Sequence, residues 1–306
     1  MRSMTAPLRR VLVCPPKNAG WGDLEKSVHW QTLGFHHPPD FAQAQSAHDT
    51  LCQILSDSGA DVLTLPPDPQ LTLDAVYTHD ASLPTNHGLV LMRPGKPNRI
   101  PEAQAHSEFL SQQSPSQSQI LSGCDAAGRV SAAISVLAKI QPPATTEAGD
   151  IVWLDERTLL VGQGYRTNQS GIDQLQEILT PHEIKVIKAP LPYGPGPNAC
   201  LHLMSLMSML DERTILVDLP WLAVETVELL QTRDFRLIKI DETERDTLAC
   251  NVLSLGNRSL IAIEENKKTN ARLRAADFEV KIIPGRELCI NGAGGPTCLT
   301  RPLLRS

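Results

Sequence analysis

Short apolar runs along this chain are separated by single amphipathic helices. The clearest helix is predicted over residues 40–58, where Ala44, Ala47, Leu51 and neighbouring apolar residues recur at three- and four-residue spacing. Asp40 is the predicted N-cap, and the helix is expected to end at the glycine that follows residue 58. Predicted strands at 11–15 and 61–66 flank this helix, so the pattern favours the α/β class.

The same order of strand, strand, helix and strand recurs between residues 74 and 285, and we count four such modules there. Two modules share the turn Asp-Glu-Arg-Thr between apolar runs, at 155–158 and at 211–214. The predicted strands are 76–79, 88–92, 151–154, 158–162, 184–187, 202–209, 214–219, 235–240, 251–255, 259–263 and 279–283, and the predicted helices are 101–112, 129–139, 170–180, 222–232 and 268–276. A fifth module requires a strand from residue 298 onward together with residues 9–66.

These modules predict a five-module, pseudo-symmetric α/β propeller whose ring is closed by the N- and C-terminal segments. Such closure removes the exposed sheet edges of an open array. We expect one domain over 1–306, with the long connection 16–39 as a candidate lid loop, because loops of that length are usually functional or disordered.

Composition narrows the class of function. The net charge of −6 over 306 residues comes without a basic stripe, so nucleic acid is not an expected partner. The apolar run near the N-terminus, 11–14, is too short for the core of a signal peptide, and no stretch has the length of a membrane span. The seven cysteines are widely spaced and include no CxxC, which favours a reduced, cytoplasmic protein without a zinc site.

Four polar residues are predicted to meet at one end of the ring. Glu147 and His202 precede the shared turn by nearly equal distances in their modules. Asp80 is expected to end a strand of the first module, and Cys298 to begin the strand of the fifth. A single cysteine is more often a small buried apolar residue, and it is the joint placement with the other three that favours chemistry.

Cysteine beside histidine is an arrangement for nucleophilic catalysis, in which the imidazole lowers the thiol pKa or handles the proton of the leaving group. Two nearby carboxylates would raise the thiol pKa and would not help an acyl substrate. They do suit a planar cation, since a guanidinium presents paired N–H donors that match carboxylates. The sequence therefore favours a guanidino compound over a peptide or an ester.

Six strings resemble, in order, the signatures of the guanidine-modifying pentein superfamily, and dimethylarginine dimethylaminohydrolase and arginine deiminase are the members most similar to them. The strings are Asp74-Ala75-Val76-Tyr77-Thr78-His79-Asp80, Arg93-Pro94-Gly95-Lys96-Pro97-Asn98-Arg99, Glu147-Ala148-Gly149-Asp150, Tyr165-Arg166-Thr167-Asn168, Leu201-His202-Leu203 and Gly294-Gly295-Pro296-Thr297-Cys298. The resemblance implies the five-module propeller and a hydrolase that converts free arginine or Nω-methylated arginine to citrulline and an amine. It implies no metal or organic cofactor.

The resemblance also implies the roles of single residues. The implied catalytic residues are Cys298, His202 and Glu147. Cys298 would attack the guanidinium carbon and form a covalent thiouronium, and His202 would protonate the leaving amine and then activate water. The implied substrate-binding set is Asp80 and Glu147 for the guanidinium, Arg99 and Arg166 for the α-carboxylate, Asp74 for the α-amine and His79 at the border of the guanidinium pocket. Each of these charged residues taken alone would more simply be a surface charge or a cap.

Alternatives differ in substrate and in class. His79 stands where the family more often has an acidic residue or arginine, and the cysteine loop is closer to that of arginine deiminase. An arginine deiminase-type activity is therefore an alternative, although the chain has no room for the extra helical domain of those enzymes. An amidinotransferase and a non-catalytic, binding pentein remain further alternatives. The expected partner is a small guanidino amino acid, with no nucleic acid or membrane, and a homodimer is left open.

Overall fold

Five separate three-stranded sheets make up the computed structural model, which describes residues 3–113, 134–197 and 199–306. The strands are β1 (Leu8–Val13), β2 (Asp61–Thr64), β3 (Ser82–Thr85), β4 (Gly88–Leu91), β5 (Val136–Lys139), β6 (Ile151–Asp155), β7 (Thr158–Gln163), β8 (Lys185–Pro190), β9 (Met207–Met209), β10 (Thr214–Val217), β11 (Arg236–Lys239), β12 (Leu253–Gly256), β13 (Ser259–Ile263), β14 (Glu279–Ile283) and β15 (Arg301–Arg305). In every sheet the central strand pairs antiparallel on one side and parallel on the other.

Helices connect the central and parallel strands of the sheets. Their bounds are α1 (Leu24–Ser27), α2 (Phe41–Asp57), α3 (Ile100–Ser111), α4 (Gln169–Leu179), α5 (Val224–Thr232) and α6 (Lys267–Ala275), followed by a π-helical turn over Arg286–Ile290. Asp40 caps α2 as predicted, because its side chain accepts from the backbone N–H of Gln43. Gly59, after the helix, has a φ of 86°, a left-handed conformation that glycine adopts without strain. No helix of the described ranges is long and apolar enough to cross a membrane.

The repeated turn has the same internal hydrogen bond in both modules. The side chain of Asp155 accepts from the backbone N–H of Arg157 at 2.8 Å, and Asp211 accepts from that of Arg213 at 2.9 Å. A short polar side chain that bonds the backbone two residues later stabilises a tight turn. This explains why the same letters connect β6 to β7 and β9 to β10.

The two ends of the chain meet in one sheet. Val11 of β1 is opposite Pro302 of the antiparallel β15 and opposite Val62 of the parallel β2. This sheet has the composition predicted for the fifth module. The fold is α/β with five sheets, and the closing of those sheets into a ring stays a prediction.

Two predicted elements are wrong. The predicted strand 76–79 is instead the end of a 3₁₀ turn, Leu73–Val76, followed by a further turn, and the strand of that module is β3. Its Val and Tyr are buried by packing, which an apolar run cannot distinguish from strand pairing. In the predicted helix 129–139, residues 136–139 form β5, paired with β4, while 129–133 lie outside the described residues. The predicted strand 202–209 is shortened to β9 by a 3₁₀ turn.

The segment 16–39 contacts both the turn at Leu73 and the residues before the cysteine turn. The indole N–H of Trp21 donates to the carbonyl of Leu73 at 3.0 Å, and its ring meets that of Phe35 edge-on with centroids 5.4 Å apart. The backbone N–H of His36 donates to the carbonyl of Asn291, next to the cysteine loop. A lid movement of this segment, like the single-domain assignment, stays a prediction.

Candidate active site

The turns that precede the antiparallel edge strands of the sheets supply the polar groups of one site. Asp80 precedes β3, Glu147 precedes β6, His202 precedes β9 and Cys298 precedes β15. Asp80 therefore does not end a strand, and Cys298 lies three residues before its strand rather than at its start. One oxygen or nitrogen from each of Asp80, Glu147 and His202 lies within 4.8 Å of the others, so these three predicted residues do meet.

Glu147 is the centre of this cluster and is fully buried. Its Oε2 lies 2.6 Å from Nε2 of His202, and its Oε1 accepts from Nη1 of Arg166 at 3.3 Å. The backbone N–H of Gly95 donates to the same Oε1 at 3.0 Å. Hydrogen bonds of this kind favour a charged carboxylate over a neutral one, and the pKa of Glu147 is lowered although burial alone would raise it.

Asp80 is the second buried carboxylate and is fixed through both oxygens. Oδ1 accepts from the backbone N–H of Gly149 at 2.9 Å, and Oδ2 accepts from Nη1 of Arg99 at 2.6 Å. Burial alone would raise the pKa of Asp80, but the positive charges of His202 and Arg99 lower it well below its usual range. A residue larger than Gly149 would not fit, because an added Cβ would lie 2.6 Å from Nδ1 of His202 and 2.7 Å from Oδ1 of Asp80.

Arg99 is more deeply buried than we expect for a residue that binds the α-carboxylate of a substrate. It is 3% exposed, and besides Asp80 its guanidinium donates twice to Glu102, at 2.9 and 2.8 Å, and once to the carbonyl of Tyr77 at 2.8 Å. With those bonds made, one N–H of five is left for another partner. The arrangement favours a positioning role for Arg99 beside Asp80.

His202 carries the positive charge of the cluster. Burial alone would lower its pKa, but the neighbouring Cys200 and the charges of Asp80 and Asp150 raise it well above the ordinary value. The imidazole is therefore protonated at neutral pH and donates from Nε2 to Glu147. Protonated histidine is a competent acid for a leaving amine.

Cys298 lies close enough to Asp80 and His202 for both to act on its ionisation. Burial and the charge of Asp80 raise the pKa of the thiol to about 12, against the opposing effect of His202. The side-chain amide of Asn251 donates to the sulfur at 3.0 Å and stabilises the thiolate form. The resting thiol is thus neutral, and it needs a further positive charge nearby to become a nucleophile at neutral pH.

The remaining predicted binding residues have other contacts. Oδ2 of Asp74 accepts from Nζ of Lys96 at 2.6 Å and from the side-chain amide of Asn98 at 2.8 Å. His79 is buried, with Nδ1 donating to the carbonyl of Thr300 at 2.9 Å. Its side chain lines a separate small cavity beneath the cysteine turn, so its expected place at the guanidinium pocket stays a prediction.

The glycines of the cysteine loop provide space rather than left-handed backbone. A Cβ on Gly292 would overlap the hydroxyl of Tyr77, one on Gly294 would overlap the ring of Tyr77, and one on Gly295 would lie 2.7 Å from the Asn251 side chain. The residue with positive φ in this loop is Ala293, at 61°. The loop therefore packs its backbone directly on the residues that support Cys298.

Three residues of the site were not predicted from the sequence. Asn251 precedes β12, the position in the fourth module that corresponds to Glu147 and His202, and extending the repeat would have identified it. Asp150 is buried below His202 and accepts from the backbone N–H of Leu203 at 3.0 Å. Cys200 places its sulfur 3.7 Å from Nδ1 of His202.

The cluster can hold either a planar cation or a metal. Asp80, Glu147 and His202 offer two carboxylates and an imidazole close enough for one divalent ion. The carboxylates are, however, already bonded by the guanidinium groups of Arg99 and Arg166. Paired carboxylates that already accept guanidinium N–H groups beside a thiol are suited to a guanidinium ligand.

The chain belongs to the family described as N,N dimethylarginine dimethylhydrolase, eukaryotic, whose profile matches residues 36–305. It is 24% identical over 306 residues to the uncharacterized protein YkgA of Bacillus subtilis, covering 99% of this chain and 94% of that protein. It is 26% identical over 196 residues to arginine deiminase of Listeria monocytogenes, covering 53% of this chain and 48% of that enzyme.

Solved structures share the fold over nearly the whole chain. Dimethylarginine dimethylaminohydrolase of Pseudomonas aeruginosa, a cysteine-to-serine mutant complexed with citrulline, aligns with a TM-score of 0.72 at 24% identity, covering 96% of this chain and 99% of that one. The N-terminal domain of ArgZ, a cyanobacterial arginine dihydrolase bound to its product, aligns with a TM-score of 0.74 at 20% identity, covering 97% of each chain. The fold, with its five sheets, is thus that of the penteins.

Proposed function

We propose that this protein hydrolyses the guanidinium group of free arginine or Nω-methylated arginine, with Nω-methylarginine as the first choice, and releases citrulline and an amine. The observation that carries this proposal is the set of contacts made by the Glu147 carboxylate. This buried carboxylate accepts a guanidinium N–H from Arg166 while it contacts His202, and Asp80 with Cys298 lies beside it. The site thus offers a guanidinium-binding pair together with a nucleophile and an acid.

The first step follows from the charges. A substrate guanidinium bound by Asp80 and Glu147 brings a positive charge next to Cys298 and lowers its pKa, which in the resting site is about 12. The thiol proton leaves to solvent, and the thiolate attacks the guanidinium carbon, forming a C–S bond. The C–N bond to the leaving amine then breaks, and the amine takes a proton from the imidazolium of His202. The product is a thiouronium on Cys298.

Hydrolysis uses the same groups in the reverse sense. His202, now neutral, accepts a proton from a water that attacks the thiouronium carbon, and the C–S bond breaks to give citrulline and the thiolate. Asp150, buried next to Leu203, favours return of the imidazole to its charged form.

Arg166 is proposed to bind the substrate α-carboxylate. In the described conformation its guanidinium touches Glu147 at 3.3 and 3.5 Å, which are long contacts for a charge-assisted pair. A substrate guanidinium would take its place on Glu147, and Arg166 would then be available for the carboxylate at the other end of the ligand. Lys96 on Asp74 would be displaced in the same way by the α-ammonium group.

The activity test uses purified protein with arginine and with asymmetric dimethylarginine, and citrulline is measured. Faster release from the methylated substrate supports the dimethylargininase activity, and faster release from arginine supports the deiminase alternative. No citrulline from either would overturn both. Pre-treatment with EDTA separates a bound metal from the proposed metal-free chemistry, which predicts no loss of rate.

A labelling experiment tests the enzyme class against a binding pentein. We expect 2-chloroacetamidine, a small cation, to label Cys298 selectively, and the neutral isostere chloroacetamide to label it at least 10-fold more slowly at pH 7, since only the amidine charge pairs with Asp80 and Glu147. The selectivity should be lost in His202→Ala. Equal labelling of several cysteines by both reagents would favour a non-catalytic role.

A further inference from the structure

A small cavity beneath the turn of Cys298 is lined by residues from the antiparallel edge strand of each of the five sheets. Its lining includes Leu83 of β3, Trp153 of β6, Ser208 of β9, Ser254 of β12 and Arg301 of β15. Its volume is about 20 Å³. That is enough for one small ion or water, because a single water needs roughly 10–15 Å³ by the same measure.

Two arginines of β15 bring positive charge to this cavity. Arg301 and Arg305 are four residues apart on one strand, so they share a face, and they are 2% and 6% exposed. Nη1 of Arg301 donates to the carbonyls of His79 and Ser82, both at 2.9 Å. Arg305 donates to the carbonyls of Ala6 and Ser254, at 2.7 and 2.8 Å. These partners are neutral, so they satisfy N–H groups without offsetting the charges.

Carboxylates are missing from this environment. Among the described residues that line the cavity there is neither Asp nor Glu. Burial lowers the pKa of both Arg301 and Arg305 to about 9, which leaves them cationic at neutral pH. Asp80 is near enough to act on Arg301, but its own oxygens are bonded to Arg99 and Gly149. The two arginines therefore give the cavity wall a positive charge, and the described protein groups neutralise only part of it.

Four residues that line the cavity also carry hydrogen-bond donors without a partner among the described residues. Nε of Arg301, Nε of Arg305, Nε1 of Trp153 and the hydroxyl of Thr297 are buried and have no partner within the described residues, and all four residues line the cavity. The three nitrogens can only donate. Buried donors that belong to cationic groups match an acceptor with a negative charge. His79, the other titratable residue of the lining, has a pKa lowered to about 3 by burial and by Arg301, so it stays neutral.

We propose that this cavity binds one small monovalent anion of chloride size, held by Arg301 and Arg305. A bound water would accept from the donors but would leave the charges uncompensated, and sulfate or phosphate is too large for the volume. The anion would stabilise β15, the strand that directly follows the turn of Cys298. This proposal does not depend on the catalytic activity proposed above.

The direct test is a crystal of the unmodified protein grown or soaked in sodium bromide. An anomalous bromide peak in contact with the guanidinium groups of Arg301 and Arg305 supports the proposal. A cavity that contains only water, with no anomalous peak, overturns it.

A solution experiment tests affinity at ordinary concentrations. Thermal unfolding is compared in sodium chloride and in sodium gluconate of equal ionic strength, since gluconate does not fit the cavity. We expect a saturable rise in Tm of about 2–4 °C with chloride, because a ligand that binds only the folded state stabilises it. Identical curves in both salts would contradict the proposal.

Arg305→Met should abolish the chloride-dependent rise in Tm, whereas Arg9→Met, which removes an exposed arginine bonded to Ser306, should retain it. A full chloride effect in Arg305→Met would overturn the assignment. If Arg305→Met does not fold, the bromide crystal of the unmodified protein decides the question.

Discussion

The side-chain amide of Asn251 donates a hydrogen bond to the sulfur of Cys298, 3.0 Å away. Its oxygen accepts from the backbone N–H of Thr297 at 3.0 Å, so one residue fixes both the sulfur and the turn that presents it. A neutral amide at this place favours the thiolate, while an acid would oppose it.

Asn251→Asp should therefore slow catalysis. The change keeps the acceptor for Thr297 but removes the donor to Cys298 and adds a negative charge. We expect a 10- to 100-fold loss of kcat/KM, because a hydrogen bond to a charged group contributes about 1.5–3 kcal/mol. Asn257→Asp, on an exposed turn, is the matched control. Unchanged kcat/KM in Asn251→Asp would show that the contact is only structural.

Alkylation of Cys298 by the neutral reagent iodoacetamide should rise steadily with pH up to at least pH 10. The resting thiol has a pKa raised to about 12 by burial and by Asp80, and the thiolate is the reacting form. The rate is measured by mass spectrometry of the peptide that contains Cys298. A plateau already at pH 7 would mean that the free enzyme holds a thiolate.

Arg166→Ala should raise the KM for arginine substrates. The lost carboxylate contact corresponds to about 2–3 kcal/mol of binding. Arg157→Ala is the control, because Arg157 is exposed and pairs with Glu183 at the surface. Agmatine, which lacks the carboxylate, should be a poor substrate of the unmodified enzyme. Equal turnover of agmatine and arginine would show that Arg166 does not bind the substrate α-carboxylate.

Arg99→Gln should act mainly on stability. It leaves Asp80 and Glu102 buried without their cation, and breaking a buried ion pair from one side costs about 3–5 kcal/mol. We expect a lower urea midpoint than for Arg93→Gln, whose half-buried arginine bonds a carbonyl. A variant with unchanged stability and a raised KM would restore Arg99 as the residue that binds the carboxylate.

Asp150→Asn should become more stable relative to the unmodified protein as the pH rises. Burial raises the pKa of Asp150 from 3.8 to about 6, so the folded state binds the proton more tightly than the unfolded chain. The stability gained by protonation is complete below about pH 4 and is lost as the pH rises through about 6. Over that pH window the difference in free energy of unfolding between Asp150→Asn and the unmodified protein should change by about 3 kcal/mol at most.

Asp155→Asn provides a control of opposite sign. Hydrogen bonds from Arg157, Thr158 and Arg233 lower the pKa of Asp155 in spite of its partial burial. Asp155 therefore stabilises the folded state above its unfolded pKa, and this contribution is lost as the pH falls. The Asp155→Asn variant should be less stable than the unmodified protein at neutral pH and equally stable in acid. Both profiles are measured by urea unfolding from below the unfolded Asp pKa of about 3.9 up to pH 8. If the stability of both variants depended on pH in the same way, Asp150 would not have the raised pKa described above.

The module order was predictable because turn chemistry and apolar runs are local properties of the sequence. The shared Asp-Glu-Arg-Thr turn located two sheets, and the N-cap Asp40 located α2. The turn Leu73–Val76 was not predictable in this way, since its apolar residues are buried by contacts with distant parts of the chain. An apolar run reports burial, not backbone conformation.

Asp80, Glu147 and His202 were predicted from their places in the repeat, and the arginines only from the family resemblance, whereas the pairing of these residues was not predicted. Arg99 and Glu102 are three residues apart in the sequence, but only the fold shows that both are buried and bonded to each other next to Asp80. Asn251 has no charge, so no charge pattern drew attention to it.

The pairing of β1 with β15 makes the order of synthesis matter for this protein. The sheet that supports Cys298 cannot form until residues 301–305 have left the ribosome, because they supply the antiparallel partner of β1. Four sheets can form before that moment, each from neighbouring segments of the chain. Cys298, the proposed nucleophile, is therefore positioned only after the segments of the other four sheets have been synthesised.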